Sequence, residues 1–425
     1  MSAEGTSDIV VIGAGAAGIA AARILHSAGR DVTILEARDR VGGRVWTTFD
    51  LATFPVELGA EYVHGEHVAT WRWLEELGLD SFDDRRDDEA WWAFADGKLL
   101  DPQGFAALMP SHPFDDLWEA ASAWGSAPAT METALRLWAQ KNRAPQLETA
   151  WGLWNTAACI SGATDLDQLG SDGLQEATYA GDGNTNFRVR SGYGSIFERT
   201  ASLLEIRLST PVTRVEWGAR GAIVHSGSLA FACEHVVITL PLGVLKAGVI
   251  HFDPPLPQWK LAAVERLGVG HVDKVILVFD APFWPKDMGA LFTDLDTQSW
   301  IVPGWGRVEH APVLRALMGG RAAERFEASV DPVAKAVREL EAVFQVELAG
   351  RLREGRFINW GNDPWSRMGY SFVPMGGAGL RAALSEPIGR TLHFAGEATH
   401  VVRPCSVHGA IESGERAVAE LLKQS

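Results

Sequence analysis

The sequence predicts an α/β protein with two domains, a Rossmann-type domain and a second domain of mixed α+β structure, each discontinuous along the chain. Three observations support this prediction. A short strand of β-branched residues near the start runs into three closely spaced glycines. A glycine-containing strand followed by a helix lies near the end. The chain has 425 residues, which is more than one hydrophobic core usually holds.

The first element is a strand, a glycine-rich turn and a helix. The apolar run Asp8–Ile12 is typical of a buried parallel strand. Gly13 permits the tight turn that follows, Gly15 lets the backbone approach a pyrophosphate, and Gly18 lets the next helix pack closely against the strand. The helix predicted from Ala16 to Ala28 directs its N-terminal N–H groups towards such phosphates.

The next elements extend this unit into a dinucleotide site. A second strand, Asp31–Glu36, ends in an acid at the typical distance, and we expect Glu36 to bind ribose hydroxyls and to disfavour a 2′-phosphate. The segment Leu392–His400 and the helix predicted over 407–422 supply a second anchor far along the chain. A pyrophosphate cradle with this second anchor predicts FAD. The chain has no second G-x-G-x-x-G motif, which argues against NAD(P)H.

Four segments resemble those of the flavin-dependent amine oxidases. They are LEARDRVGGRVWT at 35–47, ELGAEYVHG at 57–65, FAGEATH at 394–400 and VHGAIESGERA at 407–417. That family includes monoamine, polyamine and spermine oxidases, histone lysine demethylases and, more distantly, L-amino-acid oxidases. The resemblance covers both ends of the chain and is thin between about 66 and 185. It implies an enzyme that oxidises an amine with FAD.

The nucleotide-binding elements are scattered, so the domains must be discontinuous. We expect residues 1–70, 187–270 and 371–425 to form the FAD-binding domain. Residues 71–186 and 271–370 are expected to form the substrate-binding domain.

The first block of the substrate domain is predicted to be helical. Apolar residues recur at helical spacing over 71–79 and 132–141. Nine of the 17 tryptophans fall between Trp71 and Trp154, and they either pack the core or wall a channel to the flavin. The acidic run 80–89 is predicted to be a solvated loop, with an entrance for polyamines as the alternative.

Lys274 is the first candidate catalytic residue. Period-two alternation places it on one strand face with Ile276 and Val278, where the charge of a lysine is costly to bury. The segment resembles the family strand whose lysine holds a water against flavin N5. The resemblance therefore implies a lysine of lowered pKa that handles protons. The alternative is a strand-end lysine that reaches water.

The segment 360–371 resembles the family segment that lines the flavin and supplies one aromatic side chain of a cage around the amine. Trp360 and Trp365 are therefore expected at the cofactor, and Tyr370 in the cage. Gly369 stands where monoamine oxidases have the cysteine that binds FAD covalently, so we predict non-covalent FAD.

The second cage position matches Ser406, which is also a suitable N-cap for the final helix. The N-terminus of that helix is expected to face the flavin. His64 matches a histidine that faces the substrate tunnel in spermine and acetylpolyamine oxidases, with a structural role as the alternative. Glu397 matches an acid at the ribityl–phosphate region. Glu61 is expected to contact the cofactor through its backbone, with a substrate contact as the alternative. The resemblance adds as cofactor-binding residues Ala16, Ala37, Arg38, Gly43, Arg44, Ala60, Val212, Gly396 and Val407.

The resemblance implies the following reaction. A neutral amine transfers a hydride from its α-carbon to flavin N5, the imine hydrolyses to an aldehyde, and O₂ reoxidises the flavin to give H₂O₂. His64, Ser406 and the acidity of the chain favour a polyamine-type substrate. The open alternatives are an oxidase of another primary or secondary amine or of an amino acid, and a non-amine FAD dehydrogenase or desaturase. For an amino acid, no pocket arginine stands out in the sequence.

Composition narrows the class of protein. The formal net charge is −16, which serves solubility or steers cationic substrates and disfavours a nucleic-acid partner. The three cysteines are far apart, so we predict neither a disulfide framework nor a metal site, and a cytoplasmic setting. No signal peptide and no membrane-spanning run are expected. The predicted partners are a small-molecule amine and O₂, and the oligomeric state is left open.

Overall fold

The computed structural model describes residues 5–84, 90–142, 147–179, 181–183 and 185–423. The helices in these ranges are α1 Ala16–Ser27, α2 Thr70–Leu77, α3 Pro102–Leu108, α4 Pro113–Trp124, α5 Met131–Asn142, α6 Leu147–Gly162, α7 Ser171–Glu176, α8 Gly194–Ala201, α9 Leu242–Lys246, α10 Gln258–Arg266, α11 Gly320–Glu327, α12 Pro332–Phe344, α13 Leu380–Ser385 and α14 Val407–Leu422.

The strands in the same ranges are β1 Gly5–Thr6, β2 Ile9–Ile12, β3 Val32–Leu35, β4 Thr47–Thr48, β5 Val56–Glu57, β6 Val63–His64, β7 Ser81–Asp83, β8 Trp91–Ala95, β9 Lys98–Leu100, β10 Asn186–Val189, β11 Glu205–Arg207, β12 Arg214–Gly218, β13 Gly221–Ser226, β14 Leu229–Cys233, β15 His235–Ile238, β16 His251–Asp253, β17 Gly268–Val269, β18 Val272–Phe279, β19 Ala290–Thr293, β20 Ser299–Ile301, β21 Val313–Gly319, β22 Leu352–Ile358, β23 Ser371–Phe372 and β24 Leu392–Phe394.

A five-stranded parallel sheet forms the centre of the first layered unit. Its order is β11-β3-β2-β15-β24, so strands from both ends of the chain become neighbours. All residues of β2 and β3 are buried, as expected for strands covered on both faces. Helices α1 and α14 cover one face together, and they approach closely because a Cβ at Gly414 would lie 2.3 Å from the Ala17 carbonyl oxygen. A second sheet, β1-β14-β13-β12-β16, packs on the other face through apolar side chains such as Val10 and Phe231.

A seven-stranded mixed sheet forms the second unit. Its order is β22-β18-β21-β20-β19-β8-β9, so it combines strands from the segments 91–100 and 272–358. Helices α4 to α6 pack on it through one apolar cluster, and α11 and α12 through another. The parallel sheet with helices and this second mixed sheet confirm the predicted fold class. The domain boundaries themselves stay a prediction.

The predicted acidic loop at 80–89 is partly wrong. Ser81–Asp83 is a strand that pairs with β10, and Asp84 is only 2% exposed because it forms an ion pair with Arg188. The remaining positions, 85–89, lie outside the described residues. The two helices predicted over 71–79 and 132–141 correspond to α2 and α5. None of the helices in the described ranges combines the length and the hydropathy needed to span a lipid bilayer.

Candidate active site

A cavity of about 910 Å³ is lined by residues of both units. This volume lies at the upper end of the range of ligand pockets, about 300–1,000 Å³. The cavity brings together all but one of the predicted site residues. They are Gly13, Gly15, Ala16, Glu36, Ala37, Arg38, Gly43, Arg44, Ala60, Glu61, His64, Val212, Lys274, Trp360, Trp365, Tyr370, Gly396, Glu397, Ser406 and Val407.

The exception, Gly18, packs helix α1 against the turn that follows strand β2. A Cβ at Gly18 would lie 1.9 Å from the Gly13 carbonyl oxygen, so only glycine permits this approach. Gly13 has a φ of +104°, which a side chain rarely adopts. Gly15 is the N-cap of α1 and gives no side-chain hydrogen bond to its first turn. The N-terminal N–H groups of α1 are therefore not satisfied by a capping side chain, and they lie at the cavity, as a bound pyrophosphate requires.

Glu36 is held in place by the backbone around it. Its Oε2 accepts a hydrogen bond from the Ala14 N–H at 2.7 Å and its Oε1 accepts one from the Arg38 N–H at 2.8 Å. The Arg38 guanidinium binds both carboxylate oxygens of Asp363, at 2.6 and 2.7 Å. Arg38 thereby ties the loop that carries Trp365 to the end of strand β3. A buried acid fixed at this point fits the ribose of a dinucleotide.

A second buried acid, Glu397, connects three segments that line the cavity. It accepts hydrogen bonds from the Ser371 hydroxyl at 2.7 Å and the Cys405 N–H at 3.1 Å. It also forms an ion pair with Arg44 at 3.2 Å. Burial alone would raise its pKa, but the charges of Arg44 and Arg381 hold the pKa of Glu397 below its usual value. The site therefore keeps a carboxylate beside the expected cofactor region.

Lys274 is buried and reaches no bulk water. Only 4% of the residue is exposed, so the alternative of a lysine that extends into solvent is wrong. Its Nζ donates to the carbonyl oxygens of Gly59 at 2.6 Å and Glu57 at 3.0 Å, and to Glu61 Oε2 at 3.2 Å. Burial lowers the pKa of Lys274 to about 8, although Glu61 opposes this shift. The side chain can therefore change its protonation state in the physiological range.

Glu61 lies at the centre of a buried charged cluster. Its Oε2 is 2.6 Å from Arg315 and its Oε1 is 3.0 Å from Arg188, in addition to the contact with Lys274. Arg188 also pairs with Asp84 at 3.0 Å. The side chain of Glu61 thus serves the cluster, and a contact of its backbone with the cofactor stays a prediction.

Arg315 is not among the residues predicted from the sequence, yet it lines the cavity and is only 4% exposed. A signal was present, because Arg315 is the only charged residue in the apolar strand Val313–Gly319. A single arginine in a buried apolar strand is costly unless its charge is paired with a buried acid, and the same holds for a single lysine.

His64 faces the cavity from the end of strand β6. Its Nδ1 is 2.7 Å from the Asn186 side-chain oxygen, and its ring is 5.7 Å from the Tyr62 ring. The ring is exposed to the cavity, yet protein surrounds it, and the resulting desolvation lowers the pKa of His64. The imidazole is therefore biased towards its neutral form.

Tyr370 and Ser406 line the cavity, and each is fixed by a hydrogen bond. The Tyr370 hydroxyl donates to the Ile160 carbonyl oxygen. Ser406 is the N-cap of α14, since its hydroxyl accepts the Gly409 N–H at 3.0 Å, and this confirms the predicted cap. A Cβ at Gly369 would lie 2.7 Å from the Val272 Cβ. The position that is cysteine in monoamine oxidases therefore has no room for a side chain here.

Aromatic side chains form part of the cavity wall. Of the nine tryptophans between 71 and 154, Trp91 and Trp118 line the cavity, whereas Trp73 and Trp154 are almost fully buried in the apolar cores. Core packing therefore explains Trp73 and Trp154, whereas Trp91 and Trp118 are cavity-lining residues. Asp115 also lines the cavity, and its carboxylate forms no ion pair with any residue that the structure describes.

Comparison with known proteins gives the family of the chain. A family model described as flavin containing amine oxidoreductase matches residues 16–422. Polyamine oxidase 5 of Oryza sativa subsp. japonica is 30% identical over 432 residues, which cover 96% of this chain and 86% of that protein. Lysine-specific histone demethylase 2 of Homo sapiens is 29% identical over 456 residues, 97% of this chain and 53% of that protein. The chain spans only 30% to 59% of the length of four such demethylase relatives.

Solved structures share the fold. Putrescine oxidase with bound putrescine superposes with a TM-score of 0.82 at 23% identity, covering 98% of this chain and 99% of that chain. Cyclohexylamine oxidase from Brevibacterium oxydans gives 0.83 at 23% identity, with the same coverage. At 23% identity, these similarities support a shared fold and do not by themselves support a shared activity or substrate. The chain belongs to the flavin-containing amine oxidoreductase family, and the predictions of this family and of FAD as its cofactor are confirmed.

Proposed function

We propose that the protein is an FAD-dependent amine oxidase that acts on a polyamine-type substrate and passes electrons to O₂. The observation that carries the proposal is the buried Lys274, which lines the same cavity as the glycine-rich turn after strand β2. A redox site needs both a cradle for the cofactor and a group that moves protons beside it.

The residues that would hold FAD can be named from the hydrogen-bonding groups at the cavity. The N–H groups at Gly15 and Ala16 would bind the pyrophosphate, and Glu36 would bind the adenosine ribose. Non-covalent binding is proposed because Gly369 has no thiol at the position where monoamine oxidases carry the cysteine that binds FAD. When bound, FAD would accept the hydride, and with it two electrons, from the α C–H bond of the amine, so that the C–N bond becomes C=N.

The chain itself would orient the amine and manage its protons. Neutral Lys274 has two N–H donors and one lone pair, so loss of a proton frees an acceptor beside Glu61. Tyr370 and the aromatic wall would confine the amine and exclude bulk water. The amine has to bind in its neutral form before its C–N bond can be oxidised, and a neutral His64 is compatible with that requirement.

The polyamine-type substrate is supported by charge and by similarity. Asp115, which forms no ion pair within the described ranges, lies on the cavity wall near Phe114 and Trp118, and this suits a distal ammonium group. The net charge of −16 attracts polycations at low salt. The similarity to a rice polyamine oxidase agrees with this choice. A cytoplasmic setting and the absence of nucleic-acid and membrane partners remain part of the proposal.

A second candidate is an oxidase of a smaller primary amine. The aromatic wall around Trp91 and Phe292 suits an alicyclic or aromatic substrate as well as a polyamine chain. Putrescine oxidase and cyclohexylamine oxidase share this fold, so the fold is compatible with both polyamine-type and alicyclic amine substrates.

The first experiment is anaerobic mixing of the holoenzyme with spermine, spermidine, their acetylated forms, aromatic amines and amino acids. We expect a polyamine-type amine to bleach the oxidised-flavin absorption, and air to restore it with release of H₂O₂. If only an aromatic amine or an amino acid bleaches the flavin, the proposed polyamine-type substrate is wrong and that amine class takes its place. No bleaching by any amine would refute the proposed activity.

A further inference from the structure

One face of the seven-stranded sheet forms the floor of the cavity. In the antiparallel pair β18–β21, Lys274 lies opposite Leu317, and Ile276 lies opposite Arg315. Residues directly opposite each other project to the same face of a sheet, so Lys274 and Arg315 are diagonal neighbours there. Lys274, Arg315 and Leu317 all line the cavity. A guanidinium therefore lies one strand away from the group proposed to handle protons.

The guanidinium of Arg315 is only partly satisfied by the protein. One terminal nitrogen is 2.6 Å from Glu61 Oε2, while the buried Nε has no hydrogen-bond partner. The same carboxylate also receives Lys274 and Arg188. Arg188 has a second partner in Asp84, but no described carboxylate other than Glu61 pairs with Arg315.

The charge balance of the cluster leaves an excess of positive charge. Three cations, Arg188, Lys274 and Arg315, face the two ion-paired carboxylates of Glu61 and Asp84. The third buried acid, Glu57, contributes only part of a charge, because burial raises its pKa to about 7. An unpartnered N–H on a buried cation costs more than one on a neutral group, and an incoming acceptor would remove that cost.

We propose that Arg315 is a specificity-determining residue that donates a hydrogen bond to a carbonyl or carboxylate oxygen of the substrate. This inference rests on the proposed function and refines it. A second ammonium group at the same place would meet the guanidinium of Arg315 as a like charge in a buried region, where repulsion is weakly screened. The site therefore takes acylated polyamines or amines that carry a carboxylate in preference to free polyamines.

The test compares four-carbon amines that differ only at the far end. The ligands are butylamine, 1,4-diaminobutane, N-acetyl-1,4-diaminobutane and 4-aminobutanoate. Their affinities are measured by calorimetry with anaerobic, dithionite-reduced holoenzyme, which binds amines without oxidising them. We expect the two oxygen-bearing amines to bind about tenfold or more tighter than the other two, as a hydrogen bond to a charged group provides. Their relative affinities distinguish a carbonyl ligand from a carboxylate ligand.

Three variants assign that preference to one residue. Arg315→Met should remove the preference, Arg315→Lys should retain part of it, and Arg321→Met, which removes an exposed arginine on α11, should leave it unchanged. The inference is overturned if wild-type protein binds 1,4-diaminobutane as tightly as the oxygen-bearing amines. It is also overturned if Arg315→Lys and a flavin-loaded Arg315→Met both keep the wild-type order. Flavin that no amine bleaches would refute the proposed activity separately, because affinities for the reduced enzyme do not depend on turnover.

Discussion

The ammonium nitrogen of Lys274 lies 3.2 Å from Glu61 Oε2, with only about 5% of each side chain exposed. Two opposing effects meet at this contact. Burial favours the neutral amine, whereas the carboxylate favours the ammonium. The outcome is a lysine whose pKa is lowered to about 8, within reach of the pH at which enzymes operate. This pair makes the proposed proton handling testable.

Lys274→Met should slow reduction of the flavin by an amine about 10²- to 10⁴-fold, the usual contribution of a positioned acid or base. FAD should remain bound, because Lys274 contacts the loop 57–61 and not the glycine-rich turn. Anaerobic stopped-flow absorbance measures the rate, and the visible spectrum measures cofactor content. Lys98→Met, which changes an exposed lysine of β9, is the matched control. Near-normal reduction by Lys274→Met would exclude the assigned role.

The rate of flavin reduction should rise with pH through about 8, where Lys274 loses its proton. The sign follows from the lowered pKa: below it the side chain is an ammonium bound to Glu61, and above it a lone pair becomes available. A separate rise near pH 10 reflects the substrate amine itself, as for an ordinary alkylamine of pKa about 10. The measurement is the pH dependence of single-turnover reduction, and the limb near 8 should be absent from Lys274→Met. Its persistence in that variant would assign it to another group.

The same shift makes a prediction for stability. An unfolded lysine keeps its proton up to a pH of about 10.4, so the unfolded chain binds more protons than the folded one between about 8 and 10. Lys274 should therefore make wild-type protein more stable as pH rises across this window. Comparison of the flavin-release temperature of wild type and Lys274→Met at each pH isolates the contribution. A difference that stays constant across the window would contradict the lowered pKa.

Gly369→Ala should destabilise the protein by about 1–3 kcal/mol, the usual cost of overpacking. The added Cβ would lie 2.7 Å from the Val272 Cβ and 3.2 Å from the Gly270 carbonyl oxygen. We expect lower FAD content and a lower flavin-release temperature. Gly350→Ala is the matched control, since no atom lies within 4 Å of its added Cβ. An unchanged Gly369→Ala protein would show that the segment 369–371 can shift to accommodate a side chain, and would contradict the overpacking argument.

Ser406→Ala should cost about 1 kcal/mol, because helix α14 loses its capping hydrogen bond to the Gly409 N–H. Ser406→Thr keeps the hydroxyl and should retain most of the stability. The flavin-release temperature of the two variants gives the comparison. If Ser406→Ala and Ser406→Thr lower the flavin-release temperature equally, the loss comes from packing at the cavity wall, and the capping hydrogen bond contributes little.

Local chemistry predicted several elements well. The β-branched run at β2, the glycines that follow it and the acid at the end of β3 each depend on near neighbours in the chain. The N-cap at Ser406 is equally local, because the capping hydroxyl and the Gly409 N–H that donates to it lie three residues apart. Lys274 was found because a charge on an alternating apolar strand is anomalous wherever that strand packs.

Features that depend on contacts between distant segments of the chain were not predictable from the sequence. Asp84 was expected in a solvated loop, but its partner Arg188 comes from a strand more than a hundred residues away. Arg315 is a lone charge in an apolar strand, but the ion pair that gives it a role joins it to Glu61 in a distant loop, and the sequence does not show that pair. The tryptophans were ambiguous because core packing and cavity lining use the same side-chain chemistry.

The sequence by itself determined the family, the cofactor and the nucleotide-binding unit, since these rest on short-range requirements for glycines, an acid and a helix start. Only the tertiary structure decided the electrostatics of the cavity floor. The charges of Glu61, Lys274 and Arg315 come from three separate segments, and their energies depend on burial and on distances of about 3 Å. Coulomb interactions and desolvation are set by position in space, which no spacing along the chain records.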